Sequence, residues 1–321
     1  MRRIDVAIIG GSLAGATCVR ELTRLGVDAV AFEREEFPRK KVCGGFVSPR
    51  AVRVLEEIGM LAATRAAGAT EVRTVRIRTA GVDRTISLPR PGLGISRKTL
   101  DALFAEHPGV QQGTVRSVEG ETIQIDETEV RAKVVIDAAG KLSRFTRHAY
   151  SEDFGVQFDA PAMPAGVLDF WFFDDGYGGA VAVEEDRTNC SFLITKDALP
   201  RYIGKPGCLV TGPIAYNSRP SPWIAIGDAA GMIDPFCGEG MHHALDTGRL
   251  AAQVVADGLR AGRTYEEMRG VYRMQREKRW AGKRRLARWV RGVVRRPHVL
   301  RCALSVPPEW FLKQLWGNWG Q

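Results

Sequence analysis

The sequence contains no run of 18 or more apolar residues, which excludes a membrane-spanning helix. It opens on no separate apolar segment with a cleavage site. Met1-Arg2-Arg3 leads straight into a strand-like run, so no secretory signal is expected. The six cysteines (18, 43, 190, 208, 237 and 302) form no C-x-x-C pair and keep no regular spacing. That argues against a zinc or other metal site and against a disulfide scaffold, and points to a reducing cytoplasm. Internal repeats and low-complexity segments are also missing. What remains is 321 residues with a hydrophobic share of 45%, enough for one large or two modest domains with a good core.

The most informative stretch is the first thirty-odd residues. Ile4 to Ile9 are an apolar run of strand length, followed by a glycine-rich turn and a helix-period pattern (Ala14, Cys18, Leu22, Leu25) closed by Gly26. Val27 to Phe32 read as a second buried strand ending in Glu33. This is a strand–turn–helix–strand unit of the dinucleotide-binding kind. Gly10 allows the tight turn, Gly15 lets the helix sit close to the strand, and the first helical N–H groups face a pyrophosphate. Glu33 falls where a carboxylate accepts ribose hydroxyls. Ser12 replaces the middle glycine of G-x-G-x-x-G.

Further on, REEFPRKKVCGGFVSPR (34–50) reads as a loop, and its spacing alone favours an ordinary turn before a helix. Residues 70–91 alternate as two antiparallel strands, and Arg97 opens a short helix. There an arginine suits either an anionic ligand or a surface ion pair. Val134 to Ile136 form a buried strand with Asp137 and Gly140 at its carboxyl end, where ligands sit in open α/β sheets. Residues 151–204 are alternating and aromatic-rich, as in a mostly antiparallel sheet. Then Gly227-Asp228 follows a short strand, and Gly238-Glu239-Gly240 opens a helix with Met241 on its apolar face. His242 and His243 in its first turn read as structural. The arrangement repeats the first turn, with an aspartate at a strand end and helical N–H groups facing electron-rich oxygens.

These segments together resemble the geranylgeranyl reductase branch of the flavoprotein superfamily that also holds the para-hydroxybenzoate hydroxylase-type monooxygenases. GDAAGMIDPFCGEG is similar to that family's second FAD motif, and KKVCGGFVSP to its K-x-C-G-G loop. The resemblance implies an α/β fold: a Rossmann-like FAD-binding domain with a parallel sheet (1–69, 92–150 and 205–264) and an inserted, mostly antiparallel substrate domain (70–91 and 151–204). It implies that FAD is held by Gly10, Gly11, Ser12, Ala14, Gly15, Glu33, Arg34, Lys41, Cys43, Gly44, Gly45, Arg97 and Gly140. From the second motif it adds Asp228 on the ribityl chain and Pro235, Gly238, Glu239, Gly240 and Met241 along the ring. It puts Cys43 and Cys237 on loops near the ring, and Cys43 is the candidate for a catalytic part.

The implied activity is reduction of C=C bonds in a hydrophobic, prenyl-like or lipid substrate by hydride from reduced flavin. The alternatives are an aromatic monooxygenase using NAD(P)H and oxygen, and a flavin-binding membrane-associated protein without turnover. No second G-x-G-x-x-G stands in a strand–helix setting, so NADPH or NADH is expected to dock transiently as electron donor. The chain departs from the family at Ala139-Gly140, where an Asp-Gly pair is usual. It departs again at Gly176-Tyr177-Gly178-Gly179-Ala180-Val181-Ala182, where G-Y-x-W-x-F-P is usual.

The net charge of +9 is uneven. Arg269 to Arg301 hold 13 Lys/Arg and one acid, a net of +12, so the remainder carries −3. This segment (265–321) is helix-compatible to Pro297, with Leu286, Trp289, Val290, Val293 and Val294 on one face and five of the seven tryptophans at or after Trp280. It suits packing on the FAD domain with solvated arginines, or contact with a membrane surface at the inner face. Nucleic acid is the least favoured partner, resting on charge alone.

Overall fold

The computed structural model describes residues 1–79, 82–219 and 221–294. Pro297, Trp310, Trp316 and Trp319 of the tail lie outside the described residues, as do the side chains of Cys237, Val290 and Val294.

Strand Arg2–Ile9 is the centre of the first sheet because its residues from Val6 to Ile8 are apolar and fully covered on both faces. It runs parallel to Ala29–Glu33 with Val6 opposite Ala29 and Ile9 opposite Phe32. On its other side it pairs, again parallel, with Thr128–Asp137. Helix Leu13–Arg24 crosses between the first two strands and buries Leu13, Ala14, Cys18, Val19 and Leu22. Each large apolar side chain so covered contributes roughly 1.5–3 kcal/mol. The helix stops at Leu25, and Gly26 with φ +78° takes the left-handed turn that follows.

Thr128–Asp137 divides its outer edge. Its first half pairs antiparallel with Thr122–Ile125, continuing to Val115–Glu119, while Ile136 and Asp137 pair parallel with Ile224–Ala225. Val110–Gln112 adds to the far edge beside Ala29–Glu33. The parallel strands therefore end together at one edge, where Gly10, Asp137 and Gly227 begin their turns.

The second sheet has eight strands and is antiparallel except for one joint. Gly166–Phe173 runs parallel to Thr70–Thr79, so the segment 70–94 and the segment 153–195 become one surface. Phe46–Val47 and Leu209–Thr211 pair at its two edges. The fold class read from the sequence, a Rossmann-like parallel sheet plus a mostly antiparallel one, is the fold observed.

Helix Gly240–Arg260 lies against Leu13–Arg24, where Gly248 has room for no side chain: a Cβ there would stand 2.5 Å from the Ala14 carbonyl oxygen. Helix Tyr265–Val294 packs beyond it, and here the structure corrects the sequence reading. The buried face is Met268, Tyr272, Trp280 and Ala287, whereas Leu286 and Trp289 are exposed by 37% and 52%. The aromatic polar tips fix this rotation: Tyr272 Oη donates to the Ala225 carbonyl at 2.7 Å and Trp280 Nε1 to Asp246 at 2.7 Å. Among the described residues no helix is long and apolar enough to cross a membrane.

Candidate active site

The first turn is tight enough to be specific. Gly10 has φ +106°, and a Cβ on Gly15 would lie 1.8 Å from the Gly10 carbonyl oxygen. With these positions bare, the start of helix Leu13–Arg24 sits over the strand end with its N–H groups open to an anion. Glu33, buried at the end of the next strand, accepts from Gly11 N at 2.9 Å and from Glu35 N at 3.1 Å.

Ser12 shows why this turn tolerates a side chain where glycine is usual. Its hydroxyl donates to Asp101 at 3.0 Å and accepts from Arg97 at 2.8 Å, so it is drawn sideways into a polar network. Arg97 in turn forks onto both Asp101 oxygens at 2.8 Å, and the pair is almost wholly covered. Burial alone would raise the Asp101 pKa, but the Arg97 charge and hydrogen bonds, with Lys41 and Ser12, hold it below the usual carboxylate range. Burial pulls the Lys41 ammonium below the usual lysine range, and Arg97 adds to this while Asp228 and Asp101 oppose it.

The second motif faces the first. Gly227, at φ +56°, brings the Asp228 turn within 2.9 Å of Ala14 Cβ, measured from where its own Cβ would stand. Asp228 lines the cleft. Asp234 caps the turn Pro235–Cys237 by accepting from Phe236 N at 3.0 Å, and Gly238, at φ +62°, releases the chain into helix Gly240–Arg260. Two helix N-termini thus open onto one cleft.

Just before Ala139-Gly140 in the chain, Asp137 is buried and is not among the residues that line the cleft. It accepts from Ala139 N at 3.1 Å and from the Ser143 hydroxyl at 2.7 Å, and burial pushes its pKa up against those bonds. Lys141 takes the open side instead, lining the cleft and donating to the Thr211 hydroxyl on the second sheet.

Cys43 sits on the cleft wall in a loop stitched to the second sheet: its N–H donates to Gln157 at 2.9 Å and its carbonyl accepts from Asn189 at 3.0 Å. Gly45, at φ +72° and buried against the Asn189 side chain, turns the chain there, while Gly44 is exposed. The far wall is aromatic. Phe170, Tyr177 and Phe236 stand with ring centroids 5.4 to 5.8 Å apart. Gly178 is bare because Phe192, directly across the strand pair, covers it; a Cβ would meet that ring at 2.1 Å. The aromatics missing from 178–182 are thus supplied by neighbouring strands. Together these walls line a cleft of about 230 Å³.

Of the residues named from the sequence, Ser12, Ala14, Lys41, Cys43, Gly44, Arg97, Gly140, Asp228, Pro235, Gly238, Gly240 and Met241 line this cleft. Gly10, Gly11, Gly15, Gly45 and Glu33 are not among the lining residues but belong to the turns and the strand end next to them. Arg34 and Glu239 do neither. The Arg34 side chain is exposed and pairs with Glu35 at 3.3 Å. Glu239 is buried behind the helix start, at 2.6 Å from His242 Nδ1 and 3.3 Å from Lys283. His242 and His243 are both buried against Trp280.

Burial would raise the Glu239 pKa, but the His242 hydrogen bond and charge, then Lys283 and Arg50, bring it down to about 2. A carboxylate depressed this way contributes stability that is present above its ordinary pKa and lost as pH falls through the folded value. Between roughly pH 4 and pH 2 the protein should therefore lose on the order of 3 kcal/mol at this site. Glu239→Gln should flatten that part of an acid-unfolding curve, and an unchanged curve would show that the cluster is not coupled to folding.

Asp101, Lys141, Tyr177 and Asp234 were not singled out from the sequence as site residues. For Asp101 a signal existed, since Arg97 and Asp101 are spaced four apart on an expected helix.

Comparison with known proteins bears on the fold and the family. The family model for the FAD binding domain matches residues 3–149. The chain is 28% identical to digeranylgeranylglycerophospholipid reductase 2 of Methanothermobacter thermautotrophicus, covering 88% of this chain and 84% of the relative. It is 26% identical to a menaquinone reductase of Mycobacterium tuberculosis, covering 78% and 76%. Its fold is that of PqsL from Pseudomonas aeruginosa, described as a probable FAD-dependent monooxygenase, with a TM-score of 0.80 over 95% of this chain and all of that one, at 15% identity. Residues 3–149 thus match an FAD binding domain, and the chain resembles the geranylgeranyl reductases, as its motifs imply.

Proposed function

We propose that this protein is an FAD-dependent oxidoreductase that reduces C=C bonds of a hydrophobic, prenyl-like substrate. The observation that carries this reading is the division of the cleft. Its charged lining residues, Lys41, Arg97, Lys141 and Asp228, act on one another at the cofactor end. The opposite wall is mainly Leu168, Phe170, Tyr177, Phe192, Ile214 and Phe236, with the tyrosine hydroxyl already bonded to Asp234; Ser191 and Thr211 are the polar residues beside them, and Thr211 already takes Lys141. Such a wall binds an apolar chain by burial and excludes water from the reacting face.

The residues fit FAD. Three positions in the first turn have no room for a Cβ (Gly10, Gly11 and Gly15), as a close pyrophosphate requires. Helix N–H groups would hold the pyrophosphate, Glu33 the ribose and Asp228 the sugar chain, with Pro235 to Gly240 along one edge of the ring and the Cys43 loop beside it. FAD, when bound, supplies the hydride chemistry. NAD(P)H as transient electron donor belongs to the same proposal. So does contact with an anionic membrane surface through the outer side of helix Tyr265–Val294, where exposed Met274, Leu286 and Trp289 lie among Lys278, Arg285 and Arg288. Flotation with anionic phospholipid vesicles tests that contact, and protein left at the bottom of the gradient removes it.

One observation favours a second reading. The three-ring cluster of Phe170, Tyr177 and Phe236 also suits a flat aromatic substrate, which an FAD-dependent monooxygenase would hydroxylate. Turnover without oxygen separates the two. After anaerobic reduction of the flavin, prenyl substrates should gain pairs of hydrogens by mass. Turnover only in oxygen, with gain of an oxygen atom, would replace the reductase with the monooxygenase.

A further inference from the structure

We propose that helix Tyr265–Val294 is a positioning element for the cofactor, gripping loop 230–239 at three points through Arg276, Lys283 and Arg291. The inference rests on the reading that this loop lies along the flavin. The three cations recur at seven and eight residues, about two helical turns, and so stand in a row on one side of the helix. Arg276 donates to the Ala230 carbonyl at 2.9 Å, Lys283 to Glu239 at 3.3 Å and Arg291 to Asp234 at 2.7 Å. Their side chains are only 15%, 27% and 21% exposed, against 50% for Arg279, which pairs with Asp246 away from the loop.

The loop has reason to need an outside hold. It contains no strand and only a single short turn of its own before Gly240, and it bends at Gly231 and Gly238, both with positive φ. Yet it supplies Met232, Ile233, Pro235, Phe236 and Gly238 to the cleft lining. Asp234 is its fixed point. One oxygen of this fully covered carboxylate takes Arg291, and the other takes the Tyr177 hydroxyl at 2.6 Å beside Phe236 N at 3.0 Å. The Arg291 guanidinium itself lies 3.5 Å from the centre of the Tyr216 ring. A chain of contacts therefore runs from the basic helix through Asp234 to the aromatic wall. The basic residues on this side of the helix act as anchors for the cofactor loop, and only the outer ones are left to solvent or a partner.

The test is FAD titration of the full-length apoprotein, with visible circular dichroism of the bound flavin and melting of the apoprotein alongside. Arg291→Ala should weaken FAD binding at least about tenfold and change the flavin dichroism, and Arg291→Lys should recover most of both. Arg276→Ala should move both readouts the same way, which keeps the test alive should Arg291→Ala fold poorly. Arg279→Ala should change neither. A merely structural helix would lower apoprotein melting in Arg291→Ala and Arg276→Ala while the folded protein bound FAD with wild-type affinity and dichroism. That result, with Asp228→Ala still losing affinity, would overturn the grip and leave the cofactor site standing. Wild-type affinity in every variant, Asp228→Ala included, would overturn both.

Discussion

Replacing Gly15 with alanine is expected to yield a protein that no longer retains FAD. The new methyl would lie 1.8 Å from the Gly10 carbonyl oxygen and 3.3 Å from Ala138 Cβ. The nearest obstacle is backbone, so no side-chain rotation relieves it. Gly10 cannot retreat, because its own Cβ position is already 2.6 Å from the Ala138 carbonyl. The helix start must therefore lift off the strand end, carrying its N–H groups away from where the pyrophosphate would sit. Overpacking of this kind costs roughly 1–3 kcal/mol or more, which corresponds to about 5- to 150-fold in affinity if it falls on the bound state. Fluorescence titration with FAD, read beside the melting temperature of the apoprotein, separates lost binding from lost fold. A Gly15→Ala protein that loads with flavin as the wild type does would place the pyrophosphate elsewhere.

The second large effect is expected on stability. Asp101→Ala removes the partner of Arg97 while leaving the guanidinium covered, since the two side chains are 0% and 10% exposed. Breaking a buried pair from one side costs about 3–5 kcal/mol, and here Ser12 also loses a hydrogen-bond acceptor. The Asp101 carboxyl is held below its ordinary pKa, so its contribution is present above the ordinary carboxylate range and fades as pH falls through the depressed folded value. Denaturant unfolding at neutral pH should show the full difference between wild type and variant, and the two curves should approach each other in acid. A neutral-pH difference below about 1 kcal/mol, the size of an exposed ion pair, would mean that Arg97 finds another partner or water.

These two sites differ in how far the sequence revealed them. The Gly10–Gly15 turn is local: strand, glycines and helix follow one another within one crossover, so spacing alone locates it. The same holds for Asp228 and the helix start at Gly240. The Ser12–Asp101 contact joins residues 89 positions apart, and Asp234 meets Arg291 across 57. No periodicity encodes such pairings. Charge also misled in one place. Arg276, Lys283 and Arg291 belong to the most basic stretch of the chain, and density of charge suggests a solvated face. Burial of Trp280 and Tyr272 sets the rotation instead and turns those three inward. The Cys43 loop is legible through the resemblance and not through spacing, because its place on the cleft wall depends on Gln157 and Asn189, from two strands of a sheet that forms far along the chain.

We propose that two helix starts, at Leu13 and at Gly240, hold one FAD between them. Stoichiometric FAD titration of the purified apoprotein, with wild type, Gly15→Ala and Asp228→Ala side by side, tests this. One FAD per chain is expected in the wild type, with affinity lost in the first variant and weakened in the second, since each removes one end of the grip. Flavin that stays free in solution at excess FAD, or binds equally well to all three proteins, would contradict it.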